Sequence, residues 1–202
     1  MGDLMEELCT PRQWAAYMKM MEKNRSFAAV PDEEKKTVIR ESIGYGIKRA
    51  KELQAEWGVP DGQVLKNMVM EHGLKVERVT TEYPLPYLAE YEAGRKKIVL
   101  YSDRIAQVEK TLKTRHPEYF KRLSLTDMCL AHEFFHHLER CQFGAPGRIV
   151  RYRSKLFGVL PWNRRSGEAS EIAAHTFVQH LLRLEFSTWG FADMVKEIYE
   201  QR

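Results

Sequence analysis

Apolar residues recur three and four positions apart along most of this chain, a pattern that predicts a mainly helical protein. Asp61 can cap one helix, and Ser124 with Asp127 three positions later has the spacing of a capping box. Gly44 and Gly46 weaken the second helix and allow another element to approach it closely. The predicted helices span 11–23, 31–57, 63–71, 102–113, 124–141, 168–185 and 192–201.

Between the third and fourth helices the pattern changes to the two-residue alternation of β-strands. Strands are predicted over 74–79, 87–91 and 97–101, and the last two form a hairpin. The glycines and prolines of 142–165 predict a long loop. The fold class is therefore predicted as α+β, mostly helical, with a roughly three-stranded antiparallel sheet packed beside the 124–141 helix.

The 202 residues predict an N-terminal extension over 1–30 and a single domain over 31–202. The composition is 44% hydrophobic, enough for a real core, and the net charge of +4 is mild. The basic stretch 148–165 is interpreted as a solvated loop, so no direct nucleic-acid binding is predicted. No signal peptide or membrane span is found, and three cysteines without paired spacing favour the reducing cytoplasm.

The run 131–138 contains the motif His-Glu-x-x-His. His132 and His136 lie one turn apart on one face of a helix, so both imidazoles can reach one metal ion. Glu133 would sit beside that ion and take a proton from water. A third ligand must come from elsewhere, and the 168–185 helix offers Glu168 and Glu171 on one face. Glu171 is favoured because Glu168 lies in the exposed first turn, although an arginine partner would also explain a buried acid.

The segments Ala-His-Glu-Phe-Phe-His of 131–136 and Glu-Ile-Ala-Ala-His-Thr-Phe-Val-Gln-His-Leu-Leu of 171–182 resemble the two motifs of the ImmA/IrrE family of zinc metallo-endopeptidases. The second family motif is Glu-x-x-Ala-Asn-x-Phe-Ala-x-x-Leu-Leu, and the resemblance covers about 35–185. It implies a zincin-like fold of the gluzincin type, with Zn²⁺ held by His132, His136 and Glu171. Glu133 would be the catalytic base.

Two residues depart from the family pattern. Phe135 replaces a small residue, which either narrows the site or changes the helix packed behind it. His175 replaces an asparagine and is placed to hydrogen-bond a ligand or the substrate, or to compete as a ligand. His175 and Tyr101 are also candidates for stabilising the oxyanion. Glu139, near His136, is either an acceptor behind that imidazole or an exposed acid.

The predicted function is that of an intracellular zinc endopeptidase acting on a specific protein or peptide, which the resemblance suggests to be a regulatory, repressor-type protein. An extended peptide could pair with an exposed edge strand of the sheet. The alternative is a catalytically inactive module that retains the metalloprotease fold and binds a partner. A third hypothesis treats the histidines as ordinary core residues. The residues do not predict the substrate sequence, a need for activation or the oligomeric state.

Overall fold

The computed structural model describes residues 9–24, 27, 30–81, 87–121, 123–145, 151–156, 160–165, 167–191 and 195. Six α-helices and five β-strands are found in these ranges. The helices are α1 Pro11–Lys23, α2 Asp32–Trp57, α3 Gly62–Glu71, α4 Ser102–Arg115, α5 Leu125–Leu138 and α6 Gly167–Leu181. The strands are β1 Lys75–Val79, β2 Ala89–Glu92, β3 Lys97–Tyr101, β4 Arg151–Leu156 and β5 Leu160–Arg165.

The helix predictions are confirmed to within a few residues, except at the C-terminal end. The Asp61 carboxylate accepts hydrogen bonds from the first amides of α3, and Ser124 with Asp127 forms the expected capping box of α5. A π-helical turn, Glu139–Phe143, continues α5. Helix α6 ends at Leu181, four residues before the predicted end at 185. Most of the helix predicted over 192–201 lies outside the described residues.

The three-stranded sheet is mixed, so the prediction of an antiparallel sheet was wrong for one strand pair. The strand order is β1-β3-β2, with β1 parallel and β2 antiparallel to β3. Strand β3 carries buried Ile98, Val99 and Leu100. Because apolar side chains on both faces need cover, β3 takes the centre, with β1 and β2 on either side. Strand β2 is left at one edge.

The loop predicted over 142–165 contains a two-stranded antiparallel ribbon, so that prediction was also wrong. Strands β4 and β5 pair from Arg151 opposite Arg165 to Leu156 opposite Leu160. Pro161 favours a loop in the sequence, but each strand of a two-stranded ribbon is an edge strand, which accommodates a proline.

Helices α2 and α6 pack closely along their length. Gly46 makes this possible, because a Cβ atom at its position would lie 2.4 Å from the carbonyl oxygen of Ala173. The close approach expected for the glycines of α2 is therefore confirmed at Gly46, whereas Gly44 has open space around it. The main core lies between these helices, α5 and the sheet.

Helix α1, in the predicted N-terminal extension, packs against α2 and α6. Tyr17 and Met21 of α1 are fully buried in a second apolar cluster together with Ile172 of α6. The amide of Gln13 also donates a hydrogen bond to Gln179, at 2.9 Å. None of the helices in the described part of the chain is both long and apolar enough to cross a membrane.

Candidate metal centre

Helix α5 presents the His-Glu-x-x-His motif from one side while its other side is buried. Leu130, Phe134 and Leu138 are fully covered, and α5 contacts both β2 and α6. This amphipathic placement leaves His132 and His136 partly exposed between the sheet edge and α6.

The two motif histidines meet the Glu171 carboxylate of α6. His132 Nε2 and His136 Nε2 lie 3.1 Å apart. The Glu171 carboxylate lies 3.4 Å from each nitrogen, through Oε2 to His132 and Oε1 to His136. The structure therefore brings together the three residues that the sequence assigned as ligands.

His175 extends this cluster along α6. Ligand atoms of His132, Glu171 and His175 all lie within 4.8 Å of one another, so these three residues could hold a metal ion. His175 Nδ1 lies 2.9 Å from the hydroxyl of Thr188, a residue beyond the end of α6. The Trp189 ring meets the His175 ring edge-on at 5.1 Å.

Glu139 lies behind His136. Its Oε1 is 3.3 Å from His136 Nδ1, and its Oε2 accepts a hydrogen bond of 2.6 Å from the Ser170 hydroxyl. Glu139 is 9% exposed, and the serine at the start of α6 fixes its second oxygen. A carboxylate in this position holds the ring orientation and keeps a proton on Nδ1, which leaves Nε2 free for a metal.

Glu133 is positioned as a proton acceptor beside the cluster. Burial raises the pKa of its carboxyl above the ordinary value, and nearby Glu171 adds to this. The charges of His132 and His136 and a backbone hydrogen bond from Tyr91 act in the opposite direction but do not cancel the shift. A raised pKa brings a carboxylate closer to the range useful for general base catalysis.

The pKa values of the cluster reflect a balance of burial and charge. Burial lowers the pKa of His136, but Glu139, Glu171 and Glu133 outweigh it and raise that pKa to about 9. Burial raises the pKa of Glu171, but contact with His132 and the other histidines lowers it to about 2. Burial is also the main cause that lowers the pKa of His175 to about 3. Without a metal, the cluster therefore pairs a carboxylate with a protonated His136.

Two cavities flank the cluster. A polar groove of about 520 Å³ runs along the edge strand β2 and is lined by Tyr87, Glu90, Glu133 and Glu139, among others. A second cavity of about 320 Å³ is mainly apolar and extends from His132 between α5 and α6. Its walls are formed chiefly by Leu125, Met128, Val178, Trp189, Phe191 and Val195. A larger cleft of about 630 Å³ lies beside α4 and contains no residue of the cluster.

Two residues that the sequence analysis left open now have a defined place. Glu168 accepts a hydrogen bond from Asn24 and does not belong to the cluster. Phe135 is fully buried against Tyr45 and Phe177, so it fills the space behind the motif and does not narrow the site.

Tyr101, an oxyanion candidate, donates its hydroxyl to Glu90 and lines neither cavity of the site.

Some residues that contact the cluster had no signal in the sequence. Ser170, Thr188 and Trp189 support the cluster but belong to no motif. Only the three-dimensional contacts reveal these residues. The one hint in the sequence is that Ser170 directly precedes Glu171.

Comparisons with family models, with curated proteins and with solved structures found no match to this chain. The resemblance to the ImmA/IrrE family therefore rests on the two sequence motifs alone.

Proposed function

We propose that this protein is a zinc-dependent peptidase whose metal is held by His132, His136 and Glu171. The convergence of the two imidazole nitrogens and the Glu171 carboxylate at 3.1–3.4 Å carries the proposal. Tetrahedral zinc with bonds of about 2.0–2.2 Å needs ligand atoms about 3.3–3.5 Å apart. Two imidazoles and one carboxylate are a ligand set typical of catalytic zinc.

When bound, zinc would act as a Lewis acid toward water and the scissile carbonyl. Glu133 takes the proton from the attacking water and passes it to the leaving amine. Its raised pKa suits both steps, since a stronger base accepts the proton and the resulting acid can still release it. Glu139 and Ser170 hold the His136 ring in place during the reaction.

The edge strand β2 supports a peptide as the substrate. Its partner β3 lies on one side only, and the groove along β2 leads to Glu133 and His132. An extended peptide placed there gains backbone hydrogen bonds from the strand edge, while side chains enter the flanking cavities. The resemblance to the ImmA/IrrE family suggests a regulatory protein as the natural substrate.

The test combines metal analysis with cleavage of a denatured protein mixture. The wild-type chain, purified without chelator, is expected to contain about one zinc ion, as elemental analysis would show. Glu133→Gln should retain the metal and lose cleavage by about 10²–10⁴-fold, because only the proton acceptor is removed. Glu52→Gln, a surface change on α2, is the matched control.

A chain that binds no zinc, even on addition, contradicts the proposal. If wild type binds zinc but cleaves no protein, the inactive binding module is favoured instead. Comparing the proteomes of cells that express wild type and Glu133→Gln identifies the substrate, since only wild type should deplete it.

A further inference from the structure

His175 has the same relationship to Glu171 on α6 that His136 has to His132 on α5. Each pair is separated by one helical turn, so both members point in the same direction. The ring centroids of His132 and His175 are 4.8 Å apart, the same distance as those of His132 and His136. The His132 ring thus packs against two imidazoles.

Thr188 contacts one of the two ring nitrogens of His175. The Thr188 hydroxyl donates to the carbonyl oxygen of His175 at 3.3 Å, and the same hydroxyl oxygen lies 2.9 Å from His175 Nδ1. Because Nδ1 is engaged by Thr188, Nε2 is the ring nitrogen that remains for a metal.

The ring is also held against rotation. Trp189 packs edge-on against it at 5.1 Å, and Trp189 in turn contacts Tyr17 of α1 at 5.8 Å. In the described part of the chain, no hydrogen bond reaches His175 Nε2. His175 lines the cavity beside His132, and its ligand atom lies within 4.8 Å of those of His132 and Glu171.

We propose that His175 Nε2 is a further protein ligand of the metal, in addition to His132, His136 and Glu171. The proposal rests on the metal centre of the proposed function and does not depend on peptide cleavage. Four protein ligands close a zinc centre, whereas a catalytic centre keeps one position open. His175 would then occupy the position that a three-ligand centre leaves open.

X-ray absorption spectroscopy of the zinc-loaded, full-length wild type tests this directly. Three imidazole ligands are expected, and His175→Asn should show two. In the Co²⁺-loaded proteins, azide should change the visible spectrum of His175→Asn and leave that of wild type almost unchanged, because only the variant has an open position.

Zinc affinity gives a second measurement. Removing a residue behind a ligand typically weakens metal binding by 10–100-fold, so loss of a direct ligand should exceed about 100-fold in His175→Asn. Thr188→Val removes only the hydroxyl that contacts His175 Nδ1, and it should weaken zinc binding by about 10–100-fold. His180→Asn on the same helix lies outside the cluster and should bind zinc like wild type.

A count of two imidazoles in wild type that stays two in His175→Asn overturns the proposal, because His132 and His136 then account for both. A loss below about 100-fold in His175→Asn overturns it as well. Both results leave the zinc centre of the proposed function intact. A wild type that binds no metal contradicts the proposed function itself, so the two failures are distinguishable.

Discussion

The Nε2 atoms of His132 and His136 lie 3.1 Å apart and face the same carboxylate, that of Glu171. Two imidazole nitrogens at this distance either share a proton or direct their lone pairs at one cation. Glu139, 3.3 Å from His136 Nδ1, attracts the proton to the far side of that ring. The zinc site proposed above rests on this arrangement.

Removal of one imidazole should abolish metal binding. His132 belongs to the triad with His136 and Glu171 and also to the group with Glu171 and His175, so His132→Ala leaves neither set complete. The zinc content per chain should fall from about one to near zero in elemental analysis. His180→Ala, which changes a histidine of α6 outside the cluster, should keep the zinc content of wild type. Full zinc content in His132→Ala would show that other residues hold the metal.

The carboxylate behind His136 should tune metal affinity. Glu139→Gln keeps the size of the side chain but removes the charge that orients the ring, so zinc affinity should fall by about 10–100-fold. Competition with a chromophoric chelator measures the change. Ser170→Ala, which removes only the hydrogen bond to Glu139, should cost less than Glu139→Gln. Equal affinity of wild type and Glu139→Gln would mean that Glu139 does not support the ligand.

Metal binding should strengthen as the pH rises. The pKa of His136 is raised from 6.5 to about 9 in the metal-free protein, and the ring must lose its proton before Nε2 can bind a metal. Calorimetry in buffers between pH 6.5 and 9 should therefore show increasing affinity and release of a proton. An affinity that stays constant over this range would contradict a protonated His136.

The same pKa predicts how the stability of the metal-free protein depends on pH. A pKa raised in the folded state stabilises it fully below 6.5, and this contribution is lost as the pH rises through about 9. The melting temperature of the metal-free protein should fall over this interval. The zinc-loaded protein should lack this fall, because its His136 is already deprotonated.

The contact between α2 and α6 should not tolerate a methyl group at Gly46. In Gly46→Ala the new Cβ would lie 2.4 Å from the backbone oxygen of Ala173. One helix would have to move away from the other, which disrupts the packing between them. We expect a loss of about 1–3 kcal/mol in the free energy of unfolding, measured by urea denaturation.

Gly44→Ala is the matched control for that substitution. Gly44 is exposed in the same helix and has nothing within 4 Å of a built Cβ, so alanine should stabilise the protein by about 0.4–1 kcal/mol. If Gly46→Ala were as stable as Gly44→Ala, the α2–α6 contact would not require the absence of a side chain at position 46.

The sequence by itself determined the local features of this protein. Helical periodicity, the Asp61 cap and the Ser124–Asp127 capping box fixed where the helices begin, because these signals act between residues close in the chain. The spacing of His132 and His136 likewise fixed their common direction, since one helical turn separates them. The two-residue alternation also predicted the three strands of the sheet, but it did not predict how the strands pair.

Only the tertiary structure decided relations between distant segments. It placed β3 at the centre of a mixed sheet, because pairing depends on which strand must be covered on both faces. The position of Glu168 in the first turn favoured Glu171 in the sequence, but only the packing of α6 on α5 places Glu171 at the histidines and Glu168 at Asn24. It also brought Thr188 to His175 across the end of α6, a contact that depends on how the chain turns back after the helix.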